Sequence, residues 1–261
     1  MTAAVPIVHQ RSEGSIRLSV GQHGVKRLRE AGAAKVRLPT GEQEAILINT
    51  GGGLAGGDRF AFDIAVEDGA RLTVTSQAAE RVYRTLGPAA EVEVKLRADA
   101  GTLLLWLPQE SILFDGAALS RRIEADLATD ARLLAVESII LGREAMGETV
   151  SHASLRDRWR IRRDGRLIFA DDVAFEGAPP ATKATLGTAR AFATVVLASP
   201  DAEARLDAVR AAIGAAGSAS AWTGKLVARL LARDGFALRK SLIPALGVLA
   251  GDVPLPKVWS F

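Results

Sequence analysis

The sequence predicts a mainly β protein with a stacked β-hairpin or β-helical, solenoid-like architecture and about two α-helices in its C-terminal third. Three observations lead to this fold class. Apolar and polar residues alternate along much of the first 198 residues, turn sequences recur at nearly constant spacing, and helical patterns follow only after Pro179-Pro180. We expect a single domain over residues 1–261, with a β-repeat body over 1–198 and a mixed helical part over 199–261.

The composition predicts a cytoplasmic protein that is neither secreted nor embedded in a membrane. Of the 261 residues, 48% are hydrophobic, which is enough for a sizeable core. No apolar run approaches the roughly 20 residues that a membrane span needs, and the first residues lack a basic segment followed by an apolar one. The chain has no cysteine, which excludes disulfides, thiolate nucleophiles and cysteine-based metal sites.

The net charge of +3 includes a cluster of basic residues before position 40. A nucleic-acid-binding arm usually interleaves such residues with aromatic side chains for base stacking, and no aromatic residue lies among them. We therefore expect no nucleic-acid partner, and we interpret these positions as solvated strand faces or a protein-binding surface. The basic residues are Arg11, Arg17, Lys26, Arg27, Arg29, Lys35 and Arg37.

The segment "ILINTGGGLAGGDRF", residues 46–60, contains a glycine loop that matches the G-x-G-x-x-G pattern. A dinucleotide site requires a helix after these glycines. The following residues, "FAFDIAVEDGARLTVTSQ", instead alternate with period two around a turn at Asp68-Gly69. No Gly-Lys-Ser/Thr follows, so a P-loop is excluded as well. We expect the glycines to serve the backbone conformation; they are Gly51, Gly52, Gly53, Gly56 and Gly57.

The same pattern of two strands around a turn recurs three more times. The turn aspartates Asp68, Asp99, Asp130 and Asp164 are separated by 31, 31 and 34 residues. Such a spacing favours a stacked β architecture in which each unit covers the next one. The alternative is a plain meander whose hairpins happen to have similar lengths.

Polar residues follow the second strand of each unit and would lie in a row if the units stack in register. This row is either a surface feature or the lining of a hydrated passage, because buried carboxylates and amides need water or partners. Its members are Thr75-Ser76-Gln77, Gln109-Glu110, Glu137-Ser138 and Asp171-Asp172.

The C-terminal third begins with a segment around 182–199 that is typical of a strand. Ser199 and Pro200 then indicate the start of a helix that stops at Gly214 or Gly217. A strand or helix follows to Arg233, and a second helix is expected to kink or end near Pro244. The tail is predicted to be extended, with Trp259 and Phe261 available to anchor it or to meet a partner.

The sequence contains no recognisable catalytic motif. The three histidines are widely separated, Ser151-His152 has no special spacing, and no hydrolase elbow or zinc-binding pattern occurs. The 30 acidic residues leave a carboxylate-dependent hydrolase on a β-solenoid as an alternative, although nothing singles out two of them. A binding or scaffold protein is therefore favoured over an enzyme.

Several stretches, taken together, resemble the urease accessory protein UreD family, called UreH in some organisms. They occur in the order of the family over nearly the whole chain. The matching pieces are "GAAKVRLP" (32–39), "NTGGGLAGGD" (49–58), "TSQAAERVYR" (75–84), "LPQESILFDG" (107–116), "GREAMGE" (142–148) and "LPKVW" (255–259).

The resemblance implies a non-enzymatic, cytoplasmic chaperone for urease maturation with a β-helical fold and a pair of helices. Such a protein binds apo-urease and UreF, and through UreF it connects to the GTPase UreG, which brings nickel. The resemblance also implies an internal tunnel through which nickel passes, with no tightly bound cofactor and no fixed metal site. A purely structural chaperone that only opens urease for UreG shares these interactions, so the sequence leaves both alternatives open.

Under the tunnel interpretation, acidic residues are the candidates for a nickel route, because carboxylates and water are the main ligands that this chain offers. Asp58 could instead cap the glycine turn, Glu110 could pair with an arginine such as Arg84, and Tyr83 and Arg84 could order the core. The helical C-terminal part is the expected surface for UreF. Asp58, Glu110, Glu144 and Glu148 lie in the matched pieces, whereas Glu137 and Asp171 are placed by the repeat.

Overall fold

Two β-sheets face each other, and two α-helices pack on the outer side of the second sheet. This arrangement is seen in a computed structural model that describes residues 11–40 and 43–260. It confirms the predicted fold class, which is a mainly β, solenoid-like stack with two helices near the C-terminus.

The described residues form seventeen strands and two α-helices. The strands of the first part are β1 (Glu13–Gly21), β2 (Gly24–Gly32), β3 (Ala34–Arg37), β4 (Glu44–Asn49), β5 (Arg59–Val66), β6 (Arg71–Ser76), β7 (Glu80–Val82), β8 (Ala90–Ala98), β9 (Leu103–Leu107), β10 (Ser111–Leu113), β11 (Ala118–Leu127) and β12 (Arg132–Leu141). The later elements are β13 (Ala153–Arg163), β14 (Arg166–Gly177), β15 (Ala191–Ala198), α1 (Leu206–Ile213), β16 (Gly217–Trp222), β17 (Lys225–Ala232) and α2 (Gly235–Ala250).

The first sheet, sheet A, has the order β14-β13-β11-β8-β5-β1-β2, and the second, sheet B, has the order β16-β17-β15-β12-β9-β6-β4-β3. The neighbours β1, β5, β8, β11 and β13 run parallel in sheet A, as do β4, β6, β9 and β12 in sheet B. The short strands β7 and β10 pair in parallel beside β12. Successive coils of the chain therefore stack side by side.

Three of the four predicted hairpins are in fact arches between the two sheets. The strands on either side of Asp68, Asp99 and Asp130 belong to different sheets and do not pair with each other. Only the strands around Asp164 form a hairpin, in which β13 pairs with β14. The prediction was wrong here because period-two alternation and a turn occur in both arrangements, whereas pairing depends on the coil about 30 residues away.

The turns themselves lie above one another. The amide of Asp99 donates to the Val66 carbonyl at 3.0 Å, and the amide of Ala128 donates to the Ala98 carbonyl at 2.9 Å. Asp130 accepts a hydrogen bond from the Gly101 amide at 3.0 Å. Asp68 has a φ of 56° and Asp164 a φ of 47°, in the left-handed region expected for these turns.

The body contains two hydrophobic cores. One lies between the sheets and includes Ile16, Leu18, Ile64 and Trp159. The other lies between the outer face of sheet B and the two helices, and it includes Leu242 of α2. Sheet B is therefore buried on both faces over its central strands, which explains the unbroken burial of β15.

The C-terminal third differs from the prediction in detail. Helix α1 begins at Leu206 after a short 3₁₀ turn, not at Ser199, whose hydroxyl bonds the Asp201 carboxylate. Helix α2 starts at the cap Asp234 and runs through Pro244, because one of its faces is buried against sheet B. The segment up to Arg233 forms a strand, and the earlier strand β15 begins only at Ala191.

The tail is anchored by Trp259, which is buried and donates its indole N–H to the Leu107 carbonyl at 3.0 Å. The ring also lies beside the Arg239 guanidinium, 5.1 Å from the ring centroid. Phe261, the other predicted anchor, lies outside the described residues.

The glycine loop packs closely against the segment that contains Tyr83. Gly53 has a φ of 151°, and a Cβ built on it would lie 2.4 Å from the Tyr83 ring. The Tyr83 hydroxyl donates to the Gly52 carbonyl at 2.7 Å. Asp58 closes the loop, and strand β5 follows it.

We expect Gly53→Ala to destabilise the protein by about 2–3 kcal/mol, because the new methyl group meets the Tyr83 ring in addition to the unfavourable φ. Gly147→Ala is the matched control, since Gly147 has a φ of 65° with open space around it, and it should cost about 1 kcal/mol. Urea unfolding measures both free energies. Equal losses for the two variants would contradict the close packing at Gly53.

Candidate functional site

A cavity of about 310 Å³ lies between the two sheets at the end where β4, β6 and β9 finish. Its walls are largely apolar and include Phe62, Val92, Trp106 and Leu119. Exposed and half-buried residues line its other side. These are Asn49 at the end of β4, Gly52 of the glycine loop and the segment from Ser76 to Arg81. The buried residue Gln109 also lines the cavity.

The cavity ends on a buried cluster of charged side chains centred on Arg121. Its guanidinium binds both oxygens of Asp157, at 3.0 and 2.7 Å, and forms an ion pair with Glu137. It also reaches the Ser111 hydroxyl at 3.3 Å. Glu137 accepts a further hydrogen bond from the Trp106 indole at 2.9 Å. All five side chains are buried, so water screens these charges weakly.

The cluster contains two carboxylates but one guanidinium, which leaves an excess of negative charge when both acids are ionised. Burial raises the pKa of Glu137 above its usual range, although Arg121 acts in the opposite direction. Asp157 also raises it, because two carboxylates beside one arginine repel each other. Both effects favour the protonated form of Glu137.

Glu80 is a second acid on the lining of the cavity, and it lies in the short strand β7. Its carboxylate accepts hydrogen bonds from the Asn49 amide at 3.2 and 3.3 Å. Burial raises the pKa of Glu80 to about 7, against the opposing effect of Asn49. A carboxyl group with this pKa is partly protonated at neutral pH and can exchange its proton for a cation.

Gln109 and Glu110 connect the cavity to α2 and to the tail. Arg239 donates to Gln109 Oε1 at 2.8 Å and pairs with Glu110 at 3.0 Å. The same guanidinium donates to the Val258 carbonyl at 2.9 Å. Glu110 thus pairs with Arg239 and not with Arg84, the arginine that the sequence suggested. Gln109 Nε2 is buried without a hydrogen-bond partner among the described residues.

Asp58, which the sequence placed on a nickel route, caps the glycine loop. Its two oxygens accept hydrogen bonds from the amides of Ser12 and Ala55, each at 2.8 Å. It is buried and does not line the cavity. The geometry thus matches the capping alternative raised from the sequence.

Glu144 and Glu148 lie in the loop after β12, away from the cavity lining. Glu144 is exposed. Glu148 binds Arg143 at 2.9 Å and accepts from the amides of Arg143 and Asp115. Hydrogen bonding to Arg143 lowers the pKa of Glu148 to about 2, so this carboxylate is ionised and already paired.

Asp171 lies on β14 beside a different, open groove between the two sheets, where it pairs with Arg229 at 2.5 Å. Its neighbour Asp172 is exposed and pairs with Arg158 and Arg160. The predicted polar row is therefore divided. Ser76, Gln77, Gln109 and Glu137 line the cavity, whereas Asp171 and Asp172 do not.

Sequence reasoning missed Glu80, Arg121 and Asp157. A usable signal existed for two of them, because Arg121 lies between the inward residues Leu119 and Ile123, and Asp157 lies at the corresponding position of β13. A charge at an inward position of a strand predicts a buried partner. Glu80 follows a short irregular stretch that carries no such pattern.

Within residues 11–40 and 43–260, no three histidine, aspartate or glutamate side chains come close enough to hold a metal ion together. In the same ranges, no helix is both long and apolar enough to cross a membrane.

We expect Arg121→Met to destabilise the protein by about 3–5 kcal/mol, because it leaves Glu137 and Asp157 buried without their cation. Arg122→Met is the matched control on the exposed side of the same strand and should change stability by less than about 0.5 kcal/mol. Denaturant unfolding at pH 7.5 checks this. Similar stability of the two variants would show that the cluster is not held by Arg121.

Stability should also depend on pH through Glu80. Its pKa is about 7 in the folded protein, whereas an exposed glutamate has an ordinary pKa of 4.5, so the folded state holds this proton more tightly. The resulting stabilisation is fully present below pH 4.5 and is lost as the pH rises to about 7, by at most about 3 kcal/mol. In Glu80→Gln this part of the pH profile should flatten. Unfolding free energies measured from pH 4.5 to 8 test this, and parallel profiles for the two proteins would contradict it.

Comparison with known proteins identifies the family to which this chain is similar. The family model described as UreD urease accessory protein matches residues 12–260. The chain is 50% identical to the urease accessory protein UreD of Rhizobium etli over 262 residues, which covers 96% of each chain. It is 47% identical to that of Rhizobium leguminosarum bv. viciae, with 99% of each covered, and 46% identical to that of Brucella suis, with 96% and 95% covered. The chain belongs to the UreD family of urease accessory proteins.

Proposed function

We propose that this protein is a cytoplasmic urease maturation chaperone that binds apo-urease and UreF and, together with UreG, supports the delivery of nickel to the urease active site. The observation that carries the proposal is the match to the UreD family model over residues 12–260. Relatives that align over nearly their full lengths bear the name urease accessory protein. The accessory role is therefore assigned to the whole chain and not to a part of it.

The state of the buried acids supports an accessory role over the alternative of a carboxylate-dependent hydrolase. A hydrolase of that kind needs two carboxyl groups that are free to act on opposite sides of a substrate bond. Glu137 is held by Arg121 and Trp106, and Glu80 is held by Asn49. Both carboxyl groups are therefore already engaged by side chains of the protein.

We assign the cavity between the sheets to the nickel route. Nickel in transit needs ligands that bind it weakly enough to release it, and oxygen donors meet this requirement better than thiolates. The cavity offers the carboxylates of Glu80 and Glu137, the Ser76 hydroxyl and the amide of Gln109. Because no cluster of three ligating side chains occurs in the described ranges, the cation would move between separate weak contacts.

Each acid has a distinct part in this proposal. Glu80 lies near exposed residues of the lining and gives up its proton when a cation arrives. Glu137 lies at the buried end, where the excess negative charge of the Arg121 cluster favours a cation over an anion. Arg121 prevents the carboxylates from binding a cation tightly, because it occupies oxygens of both Glu137 and Asp157.

We place the UreF-binding surface on the helical C-terminal part. Helix α2 covers sheet B and leaves Phe236 59% exposed, with the Lys240 ammonium 5.0 Å from the centre of its ring. A large exposed aromatic side chain beside a cation is typical of a protein-binding surface. Arg239 of the same helix donates a hydrogen bond to Gln109 in the cavity lining, so a partner bound to α2 would lie close to the proposed route.

The route is tested by co-expressing urease and its accessory proteins with Glu80→Gln or Glu137→Gln. Each variant should lower the nickel content of purified urease severalfold, because a cation contact is lost. The urease–UreD–UreF complex should still co-purify in normal amount. Glu91→Gln is the matched control, since Glu91 lies on the exposed face of sheet A and pairs with Arg59. Nickel is measured by inductively coupled plasma mass spectrometry.

Two outcomes separate the proposals. Normal nickel loading of urease with both cavity variants would contradict the proposed nickel route and would favour a purely structural chaperone. Urease activation that is unaffected by deletion of this protein would overturn the accessory role itself. Melting temperatures of the variants show whether a loss of nickel comes from unfolding.

A further inference from the structure

Strand β2 is an ordered nine-residue strand that is exposed on both faces. It pairs on one side with β1 and forms the end of sheet A, so its other side is a free edge. Val25 is 47% and Leu28 43% exposed, which is unusual for apolar residues of a strand. A long, exposed edge of this kind can accept an additional strand from another chain.

At three other end strands, β3, β16 and β7, the strand backbone is bonded by another part of the chain. Glu30 accepts from the Val36 amide of β3 at 2.5 Å. Arg210 donates to the Ala219 carbonyl of β16 at 3.0 Å. The short end strand β7 is bonded by the Leu54 amide, which donates to the Arg81 carbonyl at 2.7 Å. In the part of the chain that the structure describes, no side chain bonds the backbone of β2 in this way. Among the residues that the structure describes, the edge of β2 is therefore open.

The charges on β2 indicate what kind of strand fits there. The register places Arg17 opposite Arg29 and Ser19 opposite Arg27, so these arginines share the outer face of sheet A. Arg17 is paired with Asp63, and Lys26 with Glu67 and Asp68. No ion pair to Arg27 or Arg29 is formed within residues 11–40 and 43–260. The outer face of β2 thus carries two cations without an acidic neighbour.

A second copy of this protein and its own first ten residues are both poor candidates for the strand that pairs with the edge of β2. A second copy pairing through β2 would bring the basic strands of both copies together, and like charges at adjacent strands are destabilising. The first ten residues, "MTAAVPIVHQ", contain no acid, and Pro6 cannot donate to a strand ladder. An acidic strand from another protein has neither disadvantage.

We propose that the free edge of β2 binds an extended acidic segment of a partner protein as an additional strand of sheet A. The segment carries Asp or Glu at alternate positions, facing Arg27 and Arg29, and apolar residues between them that lie beside Leu28. Backbone hydrogen bonds hold the strand, and the two arginines select acidic segments. The inference does not depend on the proposed role of the cavity.

The test uses the full chain and a synthetic acetylated peptide, Val-Asp-Val-Glu-Val-Asp-Val-Glu. We expect amide NMR signals of residues 24–32 to shift on titration. The Arg27→Glu/Arg29→Glu variant should bind at least tenfold more weakly. A peptide with lysine at the acidic positions, and one with alternate N-methyl groups that block the backbone, should both bind at least tenfold more weakly to the unchanged protein.

Arg156→Glu/Arg162→Glu is the matched control, because both residues lie on another strand of sheet A with their side chains on the outer face. It should leave the affinity unchanged. No binding at 1 mM peptide, equal binding of the lysine peptide, or equal weakening by both double variants would overturn the proposal. So would a dimer of the protein alone that Arg27→Glu/Arg29→Glu dissolves, since the edge would then belong to a second copy.

Discussion

The structure depends on the hydrogen bonding of parallel strands between successive coils of the chain. Because the coils stack in register, a residue at an inward position of one coil lies beside the inward residue of the next. Arg121 and Asp157 are such a pair, directly opposite each other on β11 and β13. Two charges that would be costly alone therefore meet inside the body and satisfy each other. The cavity lies beside this buried pair, and its lining combines apolar inward residues with Arg121 and Glu137.

The same register organises the outside of sheet A. Parallel sheets are usually covered on both faces, yet this one exposes a face of charged residues. Glu93 lies opposite Arg122, Lys95 opposite Glu124, and Arg97 opposite Asp126. Acids and bases thus alternate across neighbouring strands, which stabilises a solvated sheet surface. The alternation ends at β2, where Arg27 and Arg29 form no ion pair with any residue that the structure describes.

The sequence predicted the stacked architecture because the turn aspartates keep the spacing of the coils. It did not distinguish arches from hairpins, since the local pattern around Asp99 or Asp130 is the same in both. The sequence predicted that the second helix would kink or end near Pro244, and it does not end there, because the apolar contacts of Leu242 and Leu246 with sheet B outweigh the lost hydrogen bond. Of the acids chosen from the sequence, Glu137 lies on the cavity, and Glu110 lies one residue from its lining. Glu80 could not be chosen, because its position depends on how β7 sits beside β10.

Arg239 belongs to helix α2, yet its guanidinium also donates hydrogen bonds to Gln109 and Glu110 beside the cavity and to the Val258 carbonyl in the tail. Glu110 is only 4% exposed and has no other cation within bonding distance among the described residues. A protein that engages α2 and draws Arg239 outward would leave this carboxylate as a buried anion without its counterion. Docking at the helix and the binding of a cation beside Glu110 would then be thermodynamically linked, and each must influence the other by the same free energy.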